Sequence, residues 1–240
     1  MFRKAAIAAL ALTFFAPSVT LLGVGALMNP AAANCITTGT VSLGPVPDSL
    51  TVTMANGETF TLNQQQLTRA ATIIAIGNSI DGVGRPGIKI ALMAALTEST
   101  LRMLANTSAY PESANYPNDG NGSDHDSLGL FQMRPASGWG TVAELMDSAY
   151  QARAFYGGES GPNYPSPRGL LDIPAWQTMS KGEAAQAVEV SAFPDRYANY
   201  EPVAESILVT LIKPTPGGSE QSNRAVPETS RIMFPLPEGT

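Results

Sequence analysis

Pro86-Gly87-Ile88-Lys89-Ile90-Ala91-Leu92-Met93-Ala94-Ala95-Leu96-Thr97-Glu98-Ser99 is the stretch on which the fold turns. Pro86 suits the first turn of a helix, where its missing N–H costs nothing. Ile88, Ala91, Leu92, Ala95 and Leu96 recur at helical spacing. The run ends on a carboxyl, Glu98. A carboxyl beside that much apolar surface loses solvation, its charged form is disfavoured, and its pKa rises. Proton donors to a leaving oxygen near neutral pH have this property. A solvated helix-end glutamate is the plainer alternative on spacing alone.

Further helices flank this one. Asn63 with Gln66 forms a capping box ahead of Leu67, Ala70, Ala71, Ile74 and Ile80. Thr141 with Glu144 starts another helix, carrying Val142, Leu145, Met146, Ala149, Ala152 and Phe155. Ser180 with Glu183 opens a further one, with Ala184, Ala187, Val188 and Ser191. The last runs from about Asp195 to Ile212, kinked or divided at Pro202. Strand signals are scarce, so residues 62–212 predict a mainly α domain with long loops at 104–127 and 157–169. Before it, residues 35–61 read as an N-terminal extension. Thr51–Met54, Asn56-Gly57 and Thr59–Thr61 there make a small β-hairpin.

Residues 1–34 read as an export signal. Arg3 and Lys4 form a basic start, Ala5 to Met28 is uncharged, and Ala31 and Ala33 offer a cleavage site. Residues 5–28 as a helix would span about 36 Å, enough for a membrane anchor. Pro17, Gly23 and Gly25 favour cleavage over anchoring. Either outcome places the body outside the cytoplasm. Residues 213–240 have the Pro/Gly composition of a linker or tail.

The chain of 240 residues carries 14 Lys plus Arg against 20 Asp plus Glu, a formal charge of −6. Loss of the leader makes it two charges more negative. This argues against nucleic acid as a partner, which would need a basic face. One His and one Cys, His125 and Cys35, cannot form a protein zinc site on the usual close-spaced pattern, and no metal or cofactor is expected. A single Cys forms no intrachain disulfide, so burial alone must hold the core.

The second informative stretch is Ser127-Leu128-Gly129-Leu130-Phe131-Gln132, after a polar loop and before Pro135, Gly138 and Gly140. Gly129 permits close approach of backbone to a ligand, and Gln132 can both donate and accept, as an N-acetyl sugar requires. Glu98-Ser99 at a helix end, followed about thirty residues on by Gly129-Leu130-Phe131-Gln132, resembles the lytic transglycosylase and goose-type lysozyme group of the lysozyme-like superfamily. The longer run Ser123–Gln132, with Arg134-Pro135, Gly138-Trp139-Gly140 and Ala185-Gln186-Ala187-Val188, looks like a subgroup of actinobacterial secreted cell-wall hydrolase domains. The resemblance covers about 62–212.

The resemblance implies a lysozyme-like helical domain with long loops over a glycan cleft. It also implies cleavage of the β-1,4 bond between N-acetylmuramic acid and N-acetylglucosamine in peptidoglycan. Glu98 matches the single catalytic acid/base. It would protonate the leaving oxygen and then take the proton of the muramic 6-hydroxyl as a 1,6-anhydro ring closes. With water as acceptor, a second carboxylate would help; Asp126, or after it Asp124, is the candidate. Ser99 would orient Glu98 by hydrogen bonding. Ser127, Gly129, Leu130, Phe131 and Gln132 would line the cleft. The family's third signal, a tyrosine that contacts the glutamate, has two imperfect counterparts, Tyr150 and Tyr197, with Tyr197 preferred for its late helix. Trp139 is a candidate for stacking on a sugar, while Trp176 reads as core and His125 as a loop hydrogen-bonding residue.

Met233-Phe234-Pro235-Leu236-Pro237-Glu238-Gly239-Thr240 looks like the lead-in to a lysostaphin-type zinc peptidase domain, whose ligand motifs are not in these residues. That resemblance implies a peptidase separate from this chain or lost from it. It leaves a second functional reading: a non-catalytic peptidoglycan-binding module that positions such a peptidase. Because the body is acidic, recognition of glycan strands should rest on stacking and hydrogen bonds and depend little on salt.

Overall fold

An apolar helix buried on every side organises the fold. In the computed structural model, which describes residues 42–190 and 194–213, this is α2 (Gly84–Ser99), with α1 (Gln64–Asn78) before it. The sequence periodicity predicts one apolar stripe on α2. Ile90, Met93 and Ala94 are buried as well, so that Ile90 to Leu96 is continuously core. A helix apolar all round belongs at the centre of a bundle. Around α2 pack α1, α4 (Ser148–Tyr156), α5 (Lys181–Glu189), α6 (Pro194–Ala198) and α7 (Glu201–Leu211).

Three capping boxes form as their sequences predict. Asn63 and Gln66, Thr141 and Glu144, and Ser180 and Glu183 each exchange side-chain and backbone hydrogen bonds. The continuous helix expected after Thr141 is instead two: α3 (Val142–Leu145) and α4. Asp147 breaks it, because its carboxylate accepts the Tyr150 amide at 2.7 Å and caps a new helix. The expected division near Pro202 is present. Helix α6 ends at Ala198 and α7 begins at Glu201, with Pro202 in its first turn, where proline is tolerated.

The hairpin forms in the expected place from β2 (Ser49–Thr53) and β3 (Thr59–Asn63), pairing Thr51 with Thr61. It is packed into the helical core: Val52 and Leu62 are buried, and β2 lies against α7. Its turn is fastened to the connection after α6, since the amides of Ala55 and Asn56 donate to the carbonyl and side-chain oxygens of Asn199, both at 2.9 Å. A second small sheet pairs β1 (Ser42–Leu43) with β4 (Ile212–Lys213). The molecule is thus mainly helical with a small β component. Residues 1–34, expected to be a leader, Cys35, and the residues beyond 213, expected to be a linker or tail, lie outside the described residues. Among the described residues, no helix is long and apolar enough to cross a membrane.

Candidate active site at the end of the central helix

Glu98 is the penultimate residue of α2, where the unpaired helix carbonyls disfavour a nearby negative charge. The chain then turns sharply through two left-handed residues, Thr100 (φ 56°) and Leu101 (φ 59°). Each such non-glycine residue costs roughly 1–2 kcal/mol. The surroundings hold the turn: Gln66 Nε2 donates to the Thr100 carbonyl at 2.7 Å, and the Arg69 guanidinium reaches that of Leu101 at 3.3 Å.

The Glu98 side chain is half-buried, and its Oε1 accepts a hydrogen bond from Tyr197 Oη at 2.7 Å. Burial raises the Glu98 pKa. The Tyr197 hydrogen bond and the Arg196 charge pull it down, Asp124 pushes it up, and the net direction is upward. Tyr197 is 1% exposed, so α6 holds its hydroxyl rigidly against α2. Of the two candidate tyrosines, Tyr197 therefore meets the glutamate. Tyr150 lies elsewhere, with its hydroxyl 3.0 Å from the Trp139 carbonyl and 3.1 Å from Asn163 Oδ1.

Ser99 works differently from the expectation. Its hydroxyl lies 2.7 Å from the Leu130 carbonyl and 3.2 Å from that of Ala95, and accepts the Arg102 amide at 3.1 Å. One residue along a helix is a rotation of about 100°, which turns Ser99 toward the core and away from the Glu98 face. Ser99 thereby ties the end of α2 to the 128–133 segment.

That segment is a tight turn closed by paired backbone bonds between Leu128 and Met133, of 2.9 and 3.1 Å. Gly129 has φ +74°, and a Cβ there would lie 1.8 Å from Gln151 Nε2. Most of the side chains expected along the cleft face inward. Ser127, Leu130 and Phe131 are buried, and Phe131 stacks on Phe155 with ring centroids 4.7 Å apart. Desolvating these apolar side chains into the core is more favourable than leaving them along a wet groove. Gln132 alone of the Gly129–Gln132 side chains keeps partial exposure, and its Nε2 donates to the Gly129 carbonyl at 2.8 Å.

Asp126 is occupied as well. It pairs with Arg134 and accepts the Ala136 amide at 3.0 Å and the Tyr110 hydroxyl at 3.3 Å. Burial alone would raise its pKa, but these partners outweigh it and hold the carboxyl below its ordinary value. Asp124 is the acid whose charge reaches Glu98. It is exposed and bonded to His125 Nδ1 at 2.8 Å. Trp139 is half-buried at the edge of the core, and Trp176 is in the core as expected.

Two fully buried polar residues and one half-buried acid escaped the sequence reading. Gln151 is fully buried. Its Oε1 accepts the Phe131 amide at 2.9 Å, and its Nε2 reaches the carbonyls of Leu128 at 3.0 Å and Leu145. Asn106, also fully buried, holds the 104–127 loop by donating to the His125 and Ser127 carbonyls at 3.0 and 3.4 Å. Glu189 ends α5, which packs on α2, and its Oε1 is buried with no hydrogen-bond partner among the described residues. Burial, reinforced by the Glu98 charge, pushes its carboxyl well above the ordinary range. The charge of Glu98, at the end of α2, thus reaches the carboxyl that ends α5. Gln151 carried a signal, since it precedes Phe155 by one helical turn on the same face. Glu189 carried the one that marked Glu98: a carboxyl closing an apolar helix.

Among the described residues no group of His, Cys, Asp and Glu is arranged to hold a metal ion. No protein-family model and no curated protein matches the chain.

Proposed function

We propose that the protein is a secreted peptidoglycan hydrolase of the lysozyme-like type, cutting the MurNAc–GlcNAc β-1,4 bond with Glu98 as its single acid/base. The observation that carries this reading is the Glu98 carboxyl itself: half-buried, raised in pKa, and held at 2.7 Å by a buried tyrosine. In the first step Glu98 gives its proton to the bridging oxygen, and Tyr197 stabilises the carboxylate left behind. In the second, that carboxylate takes a proton from the acceptor hydroxyl. Asp126 is committed to Arg134, which supports the route in which the muramic 6-hydroxyl is the acceptor and no second carboxylate is needed.

The alternative, a binding module for a partner peptidase, drew on the lack of a clear tyrosine signal. The Tyr197–Glu98 hydrogen bond favours the enzyme over it. Mass spectrometry of material released from purified walls tests the proposal. Muropeptides with 1,6-anhydro ends are expected. Reducing ends would restore a water-activating carboxylate, with Asp124 first in line, and no release from walls that nonetheless sediment the protein would favour the binding module.

A further inference from the structure

A cavity of about 200 Å³ opens between the hairpin turn, the last turn of α2 and α6, lined by Met54, Glu58, Thr97, Arg196, Asn199 and Tyr200. One wall is the hairpin turn, which the glycan-cleaving scheme leaves without a task. The other is the connection from α6 to α7. The two walls are fixed to each other by the paired bonds to Asn199 described above, and Asn199 Nδ2 also approaches Met54 Sδ at 3.4 Å. Thr97 adjoins Glu98 along α2, and the charge of Arg196, which lines the cavity, reaches Glu98, so the cavity lies near the acid/base pair.

Its lining is polar and of both signs. Among the described residues Arg196 is exposed and forms no ion pair, and the Glu58 carboxylate accepts a hydrogen bond from neighbouring Asn56 at 2.9 Å. Tyr200, edge-on to Phe60 at 6.2 Å, senses both charges. The volume falls below the roughly 300–1,000 Å³ of sites for drug-sized ligands, so it suits about one amino-acid unit rather than a disaccharide. A guanidinium matches a carboxylate, a carboxylate matches an ammonium, and an aromatic ring packs an aliphatic chain.

We propose that this cavity is a subsite for the short peptide carried by the muramic acid, with Arg196 taking a peptide carboxylate and Glu58 a peptide amine. The identity of the ligand rests on the function proposed above. Such a peptide hangs from the sugar whose bond Glu98 would cleave, and a pocket whose arginine charge reaches Glu98 is where it would fall. The ion pairs make this part of recognition salt-dependent, unlike the glycan contacts.

The test uses purified Glu98→Gln protein and the free tetrapeptide alanyl-γ-D-glutamyl-diaminopimelyl-alanine, followed by NMR. Saturable shifts at Thr97, Arg196, Asn199 and Tyr200 are expected. Arg196→Ala and Glu58→Lys should each weaken binding about tenfold, the loss of one charge-assisted contact. Glu58→Gln provides a milder change should the lysine variant unfold. Shifts that miss these residues, or an affinity unmoved by all three substitutions, would overturn the assignment. Wall cleavage by the unsubstituted protein without peptide binding would overturn the subsite and leave the enzyme reading standing. Peptide binding at these residues without wall cleavage would uphold the subsite and remove the enzyme reading.

Discussion

Tyr197, on α6, donates its hydroxyl proton to Glu98 at the end of α2, across 2.7 Å. The bond spans 99 residues of sequence and joins the C-terminal end of α2 to the short helix α6. It favours the carboxylate form of Glu98, against the burial that favours the acid.

Removal of that hydroxyl has a signed consequence. In Tyr197→Phe the carboxylate loses a stabilising partner, so the Glu98 pKa rises further and the alkaline limb of the pH–rate profile moves to higher pH. The rate constant kcat/KM at its optimum should fall about tenfold, the equivalent of one hydrogen bond to a charged group. A profile unchanged in both position and height would detach Tyr197 from Glu98.

Gln151 makes a prediction about stability. Leucine at this position leaves the Phe131 amide and the Leu145 carbonyl without this partner, while the Leu128 carbonyl keeps the Met133 amide. Each orphaned group costs about 1–3 kcal/mol, so Gln151→Leu should lose at least about 2 kcal/mol in urea unfolding. A loss below about 1 kcal/mol, within the range of ordinary surface substitutions, would mean that the 128–133 turn holds its shape by other means.

Glu189 links stability to pH. Its folded pKa lies above its unfolded value, so its contribution is fully present below the unfolded pKa and is lost as pH rises toward the folded one. The native state keeps the proton that the unfolded chain releases. Glu189→Gln has no charge to suppress and should be more stable than the parent at neutral pH, with the advantage shrinking toward pH 4. Thermal melts across that range decide the matter; equal destabilisation at every pH would show a packing effect instead.

Gly129 leaves no room for change. Alanine there places its Cβ 2.5 Å from the Leu145 carbonyl and keeps a left-handed φ. Overpacking typically costs about 1–3 kcal/mol, and Gly129→Ala should show at least that in denaturant unfolding. A neutral effect would require Gln151 to swing out without penalty.

The helices were legible because their caps and periodicity are local. Asn63, Thr141 and Ser180 each announce a helix start within three residues, and the Asn56-Gly57 turn announces the hairpin. Glu98 and Tyr197 stood out one at a time, from a helix-end carboxyl and from a family resemblance. Long-range satisfaction was hidden. Ser99 reaches Leu130, Gln151 reaches Phe131, and Asn106 reaches Ser127 through side chains whose composition gives no hint of burial. The burial of Leu130 and Phe131 was hidden for a related reason: the direction of a side chain depends on the turn that carries it.

The most direct measurement is the rate of soluble muropeptide release from purified walls by the parent protein and by Glu98→Gln, which keeps shape and hydrogen bonding but has no proton of carboxylic acidity to give. The expected result is a loss of at least about 100-fold, the lower bound for a general acid, with unchanged sedimentation on walls. Release at the parental rate by the glutamine variant would contradict the assignment of Glu98.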